Sequence, residues 1–94
     1  MSVLNKDFDL LTTNSSTTEH NIPLSRNYVF YASGDFAGGI VVLESSIDGG
    51  TVYHTVGSLS RSGRQPVKLS SGEKIRTTLT GATGAAAVNS GVRE

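Results

Sequence analysis

The residues that could carry chemistry are few and scattered. Asp48, Gly49 and Gly50 sit in "SSIDGGT", an acidic, glycine-rich stretch of the kind that can bind calcium or phosphate. A calcium loop needs several oxygen ligands converging at alternate positions. Here Asp48 is the one local carboxylate, and Glu44 lies four residues back. A phosphate loop needs glycines feeding a helix N-terminus, usually with a lysine. An alternating strand pattern follows instead, with no lysine near. Asp-Gly and Gly-Gly supply the positive φ angles that tight hairpin turns demand, so the stretch reads as a turn.

His20 and His54 are the only histidines, and cysteine is absent. A zinc site needs three or four ligands at fitting spacing, and the sequence offers no such set. A Ser-His-Asp arrangement lacks the strand, Gly-x-Ser-x-Gly and helix context that would expose a nucleophile. Paired carboxylates for glycoside cleavage would have to come from eight dispersed acids with no flanking aromatic platform. The chain is therefore expected to be non-enzymatic, with no cofactor and no metal. Two constellations suit recognition better. Arg61, Arg64 and Lys68 cluster in "SRSGRQPVK", with Lys74 and Arg76 further on, as a solvated loop or a docking surface for an acidic partner. Tyr28, Tyr31, Phe36 and Tyr53 could stack on a sugar, although core packing and subunit contact are the commoner uses of such rings.

The elements that must position these residues are strands. Period-two alternation recurs along the chain and helical periodicity does not. Strands are predicted over Asp7–Thr13, Asn21–Leu24, Asn27–Ser33, Ile40–Ser46, Thr51–Val56, Gln65–Ser70, Lys74–Thr80 and Ala85–Val92. Phe8 and Leu10 are expected on one face, as are Tyr28 and Phe30, then Ile75, Thr77 and Leu79. Val52, His54 and Val56 alternate against Tyr53. Asn14–His20 reads as a polar loop, and "GDFAGG" (34–39) as a turn. About eight short strands with turn signals between them predict an all-β fold, an antiparallel β-sandwich or jelly-roll-like barrel.

Ninety-four residues fit a single domain spanning 1–94, which by size scaling buries roughly 60–65% of its unfolded surface. Charged residues make up 17% of the chain and balance to zero, below the usual ~25%. Nucleic-acid binding needs a basic excess, so that partner is not expected. The opening "MSVLNKDFDLL" lacks the apolar run of a signal peptide, and no segment approaches the ~18 apolar residues of a membrane span. The absence of cysteine favours folding in a reducing compartment, such as the cytoplasm, or stabilisation by assembly, and no membrane partner is expected. A low-charge surface rich in Ser, Thr and Gly suits contact with other protein.

The order of turns resembles a known group. "YASGDFAGGIVVLESSIDGGTVYHTVGS" followed by "GEKIRTTLTGATGAAAVNSGV" is similar to small structural proteins encoded among the virion genes of tailed bacteriophages. Their form is a strand, G-x-F-x-G-G, a strand, S-x-D-G-G-T, an aromatic strand, then a charged strand ending L-S/T-G-A-T-G and a closing strand. Gly34, Phe36, Gly38 and Gly39 match the first motif. Asp48 to Thr51 match the second, and Leu79 to Gly84 the third. Tyr53 stands where similar sequences often carry tryptophan. The resemblance spans roughly residues 28–92.

It implies a β-sandwich module on a phage particle: a capsid decoration or cement protein bound to the major capsid protein or another virion protein, or the base of a head fibre. A homo-oligomer, with a trimer favoured, is implied too, as is a place on the capsid surface. The alternative is a carbohydrate- or receptor-binding module of a tail or head fibre. Residues 1–6 would serve as a docking arm. Val3 and Leu4 of that arm, Tyr31 on an outer sheet face, and Arg61 and Arg64 are the expected protein-interface residues.

Overall fold

A computed structural model describes residues 5–8 and 10–94. Eight strands are present among these described residues: β1 (Asn5–Asp7), β2 (His20–Asn21), β3 (Arg26–Asp35), β4 (Ile40–Ser46), β5 (His54–Leu59), β6 (Gly63–Leu69), β7 (Lys74–Thr80) and β8 (Ala87–Arg93). They form two four-stranded antiparallel sheets, β1-β8-β3-β6 and β2-β7-β4-β5. The nested pairs β1 with β8, β2 with β7, β3 with β6 and β4 with β5 are those of one long hairpin. Rolling that hairpin up adds the lateral pairs β3 with β8 and β4 with β7. This is the eight-stranded jelly roll.

Alternation places the core between the sheets. Tyr28, Phe30 and Ala32 of β3 are buried, and so are Val41 and Leu43 of β4. Ile75, Thr77 and Leu79 of β7, beside β4, are buried too, as are Val88, Ser90 and Val92 of β8, beside β3. Burying an aliphatic or aromatic side chain of this size contributes about 1.5–3 kcal/mol, so these inward rows dominate the stability of the sandwich. β4 and β7 match the predicted bounds, and the inward faces of β3 and β7 are as expected.

The N-terminal third differs from expectation. The predicted strand Asp7–Thr13 is broken: Phe8 and Leu11 are buried, whereas Leu10 is 49% exposed. The polar stretch after it is more than a loop. Phe8 N–H donates to Ser90 O (2.8 Å), and Leu11 exchanges two bonds with Val88 (2.9 and 3.0 Å). Thr17 N–H then donates to Thr77 O, and Leu79 N–H to Ser15 O. The segment thus pairs first with β8 and then with β7, closing that side of the sandwich and burying Thr17.

β5 differs as well. The register slips between Leu43 and Glu44, so two residues of β5 oppose one of β4, a bulge that changes which side chains point inward. Val52, His54 and Val56 are exposed, and Gly57 takes the buried position. A Cβ on Gly57 would lie 2.5 Å from Gln65 Oε1 and 3.3 Å from Phe30 and Val67. The same Gln65 Oε1 accepts from Ser58 N–H (3.1 Å), joining β5 to β6 across the second open side. Pro66 on β6, lacking an N–H, helps keep that edge from pairing further. Finally, β3 continues through Gly34 and Asp35, so the turn is Phe36–Gly39, closed by Gly39 N–H to Phe36 O (2.8 Å).

Candidate functional site: two outer faces and a braced tip

The outer face of β1-β8-β3-β6 carries two of the expected interface residues. Tyr31 of β3 is directly opposite Arg64 of β6 and Gly91 of β8, and Gly91 is opposite Asp7 of β1. One row across the sheet therefore reads Asp7, Gly91, Tyr31, Arg64. The Arg93 guanidinium lies 5.5 Å from the Tyr31 ring centroid, and its Nη2 is 3.9 Å from Asp7 Oδ1. Tyr31 is half-buried, and its hydroxyl is shielded from solvent without a hydrogen-bond partner, which is costly for a polar group. Tyrosine flanked by arginine is the composition of interface hot spots.

Arg61 is exposed in the turn between β5 and β6, off this row. Val3 and Leu4 lie outside the described residues. The basic run of the sequence is divided by the fold: Arg64 and Lys68 belong to this sheet, Lys74 and Arg76 to the other.

The outer face of β2-β7-β4-β5 holds a polar network. Arg76 Nε donates to Glu44 Oε1 (3.0 Å), which also accepts from the Thr78 hydroxyl (2.6 Å). Ser16 and Thr78 hydroxyls are 2.8 Å apart. The Arg76 guanidinium lies 3.8 Å from the Tyr53 ring centroid, a cation–π distance, and the Tyr53 hydroxyl is again shielded without a partner. Sequence reading did not foresee this cluster. Lys74, Arg76 and Thr78 do alternate against the buried Ile75, Thr77 and Leu79, but the partners Glu44 and Ser16 come from remote segments.

The four rings considered for sugar stacking do not share a surface. Tyr28 and Phe36 are buried; Tyr31 lies in one sheet, whereas Tyr53, just ahead of β5, lies against Arg76 of the other. Tyr28 donates from its hydroxyl to Leu24 O (2.7 Å). Burial raises its phenol pKa, and the nearby Glu94 charge adds to the rise.

The "IDGG" stretch is a turn whose carboxylate serves its own loop. Asp48 Oδ1 accepts from the Ser46 hydroxyl (2.6 Å), Val52 N–H (3.0 Å) and Thr51 N–H (3.2 Å). Ser46 Oγ in turn accepts from Gly50 N–H (2.9 Å). The Ser46 bond, then the backbone donors, hold the Asp48 carboxyl below the ordinary carboxylate range. Gly49 and Gly50 have φ of 79° and 98°, the left-handed region glycine enters freely. This braced tip presents Ile47, 77% exposed, and Val52, 49% exposed.

The two histidines are not neighbours of one another: His54 is exposed at the start of β5, whereas the His20 ring lies 5.0 Å from Phe8. Among the described residues no group of three or more His, Asp and Glu side chains could hold a metal ion.

No family model matches the chain, and no curated protein matches it. Solved structures do. The C-terminal domain of a structural protein from Sulfolobus turreted icosahedral virus matches with a TM-score of 0.55 at 16% identity, covering 98% of this chain and 94% of that one. A pentameric capsid protein isolated from metagenomic phage sequences matches at TM-score 0.46 and 19% identity, covering 98% of this chain and 64% of that one. A carbohydrate-binding module from a Cellvibrio mixtus lichenase, in complex with cellotriose, matches at TM-score 0.47 and 17% identity, covering 98% and 86%. The fold is thus similar, nearly end to end, to that of a domain of a viral structural protein.

Proposed function

We propose that this chain is a non-enzymatic structural protein of a virion, and in the finer form a decoration or cement protein bound to the capsid shell of a tailed phage. The observation that carries the reading is the jelly roll matched along 98% of this chain and 94% of a viral structural domain. The motif order Gly34–Gly39, Asp48–Thr51 and Leu79–Gly84 adds to it. The surface supports a docking role: a flat face with Tyr31 between charged rims, and a braced apolar tip. Several modest contacts to a repeating shell would sum to firm attachment, because each later contact forms at high effective concentration. In this reading the partners are the major capsid protein or another virion protein, together with further copies of this chain. The place of action is the capsid surface, after synthesis in the host cytoplasm.

The test is to mix the purified chain with capsid shells that lack it and to titrate it with glycans in parallel. Saturable binding in a fixed ratio to shell subunits, with a raised shell melting temperature, is expected. Absence of shell binding together with a glycan-dependent change in tyrosine fluorescence would replace this reading with that of a receptor-binding module.

A further inference from the structure

We infer that the outer face of the β1-β8-β3-β6 sheet is a self-complementary surface that pairs with a second copy of this chain about a two-fold axis running along the strands. Strand register sets the pattern of charge on this face. Asp7, Gly91, Tyr31 and Arg64 are consecutive neighbours across the four strands. With strands ~4.8 Å apart, the acid on one rim and the base on the other are separated by about 14 Å. Between them the row is flat, because Gly91 has no side chain and Tyr31 is half-buried.

Two such faces can be laid together in few ways. An in-plane axis perpendicular to the strands keeps each strand over its own copy, setting Asp7 against Asp7 and Arg64 against Arg64. An axis along the strands, between β8 and β3, reverses the strand order. It brings Asp7 of each copy to Arg64 of the other and leaves the Tyr31 and Gly91 centres facing. Only the second is electrostatically complementary, and like charges brought together are strongly disfavoured.

The neighbouring row fits the same operation. Asn5, Arg93, Val29 and Pro66 are register partners, so Arg93 passes over Val29 while remaining beside Asp7 of its own chain. Asn89 and Ser33, the next pair on this face, are neutral. Lys68, opposite Asn27, lies beyond the rows that β8 joins.

The flat part is small. Four strands and about five residues of length cover roughly 300–400 Å² per copy, less than the ~800 Å² per partner of a standard stable interface. The pairing is accordingly weak, concentration-dependent and salt-sensitive, and it gains strength wherever copies are held close together. It sets a two-fold contact in place of the three-fold assembly that the family resemblance implies. It also stands whether or not the chain belongs to a particle.

The experiment is sedimentation velocity on the full chain over a concentration series at low and high salt, with charge-reversal variants. A monomer–dimer equilibrium that weakens with salt is expected for the unmodified chain. Asp7→Arg alone and Arg64→Asp alone should each raise the dissociation constant about tenfold or more, and the double variant should restore it. Tyr31→Glu should also abolish pairing, which separates face-to-face packing from a rim-to-rim contact. Circular dichroism and thermal melting establish that each variant is folded. A monomer at every concentration, a trimer indifferent to the reversals, failure of the folded double variant to recover pairing, or pairing unchanged by Tyr31→Glu would each overturn the inference.

Discussion

Thr77 and Ser90 face each other across the middle of the sandwich, one from each sheet, with their hydroxyl oxygens 2.9 Å apart. Both are fully buried. Thr17 joins them, its Oγ1 accepting from Thr77 N–H (3.0 Å). In a mostly apolar interior this small network ties the N-terminal segment to both sheets. Thr77→Val removes the central hydroxyl at nearly constant volume and leaves Ser90 unsatisfied. The expected loss is about 1–3 kcal/mol, read by urea unfolding. Thr77→Val with Ser90→Ala should cost less than the sum of the two single changes, because the second removes the group the first orphaned. Strict additivity would show that the hydroxyls do not interact.

Asp48 organises its tip through one carboxylate oxygen. Asp48→Ala should speed amide exchange at Thr51 and Val52, whereas Asp48→Asn, which retains an acceptor oxygen, should do so less. The sign of the pH effect follows from the lowered pKa. The brace is fully formed above the unfolded value of 3.8 and is lost as pH falls through the lower folded value. An NMR titration following Gly49 and Gly50 from about pH 5 downward should show the tip loosening with a midpoint below 3.8. A midpoint at or above that value would contradict the account of the loop.

Three glycines should rank in a definite order when changed to alanine. At Gly34 a Cβ would lie 2.0 Å from Ala87 O, with φ at +128°, so both strain and an immovable backbone carbonyl oppose it. At Gly57 the nearest obstacle is the Gln65 side chain at 2.5 Å, which can shift at the expense of its bond to Ser58; overpacking of this kind costs about 1–3 kcal/mol. At Gly72 nothing lies within 4 Å, and only the φ of +89° counts, a cost of about 1 kcal/mol. Urea midpoints should fall most for Gly34, then Gly57, then Gly72. A reversed order would contradict the packing of β3 on β8.

Much of this architecture was legible in the residues themselves, and the exceptions have a common cause. β4 and β7 were readable to the residue, since "IVVLESS" opens on a β-branched apolar run, "KIRTTLT" alternates cleanly, and both end at glycine-bearing turns. The segment 14–20 was not, because Thr17 is buried by a hydroxyl network and Ser15 and Ser16 are held by bonds to β7, none of which leaves a hydrophobic pattern. β5 begins at His54 rather than at the expected Thr51, because Asp48 holds the Thr51 and Val52 N–H groups in its own loop, and its bulge interrupts the period-two pattern. For the surface, Tyr31 and Arg64 stand out in the sequence one at a time, as an aromatic on an outer strand face and a base in a polar loop. That they are direct neighbours, that Asp7 and Gly91 complete their row, and that Arg93 lies in the next row beside them, depends on pairings between segments up to the length of the chain apart. Arg76 over Tyr53 was hidden for the same reason.

Val3 and Leu4 of the proposed arm, and Arg61 of the β5–β6 turn, offer a separate test of the proposed docking role. Val3→Asp with Leu4→Asp, and Arg61→Glu, should each weaken binding to shells lacking the protein without lowering the melting temperature of the isolated chain. Truncating an apolar or arginine anchor typically costs more than 1 kcal/mol at a minority of interface positions, so a loss of about tenfold at one or both sites is expected. Unchanged shell binding by both variants would place the contact elsewhere on the molecule.

The central claim is that the chain is a stoichiometric part of a particle. Quantitative mass spectrometry of purified virions tests it most directly. The account predicts this chain in a copy number that scales with the subunit count of the shell. Its absence from purified particles would contradict the claim, and a small number fixed by a single vertex would contradict the decoration form of it.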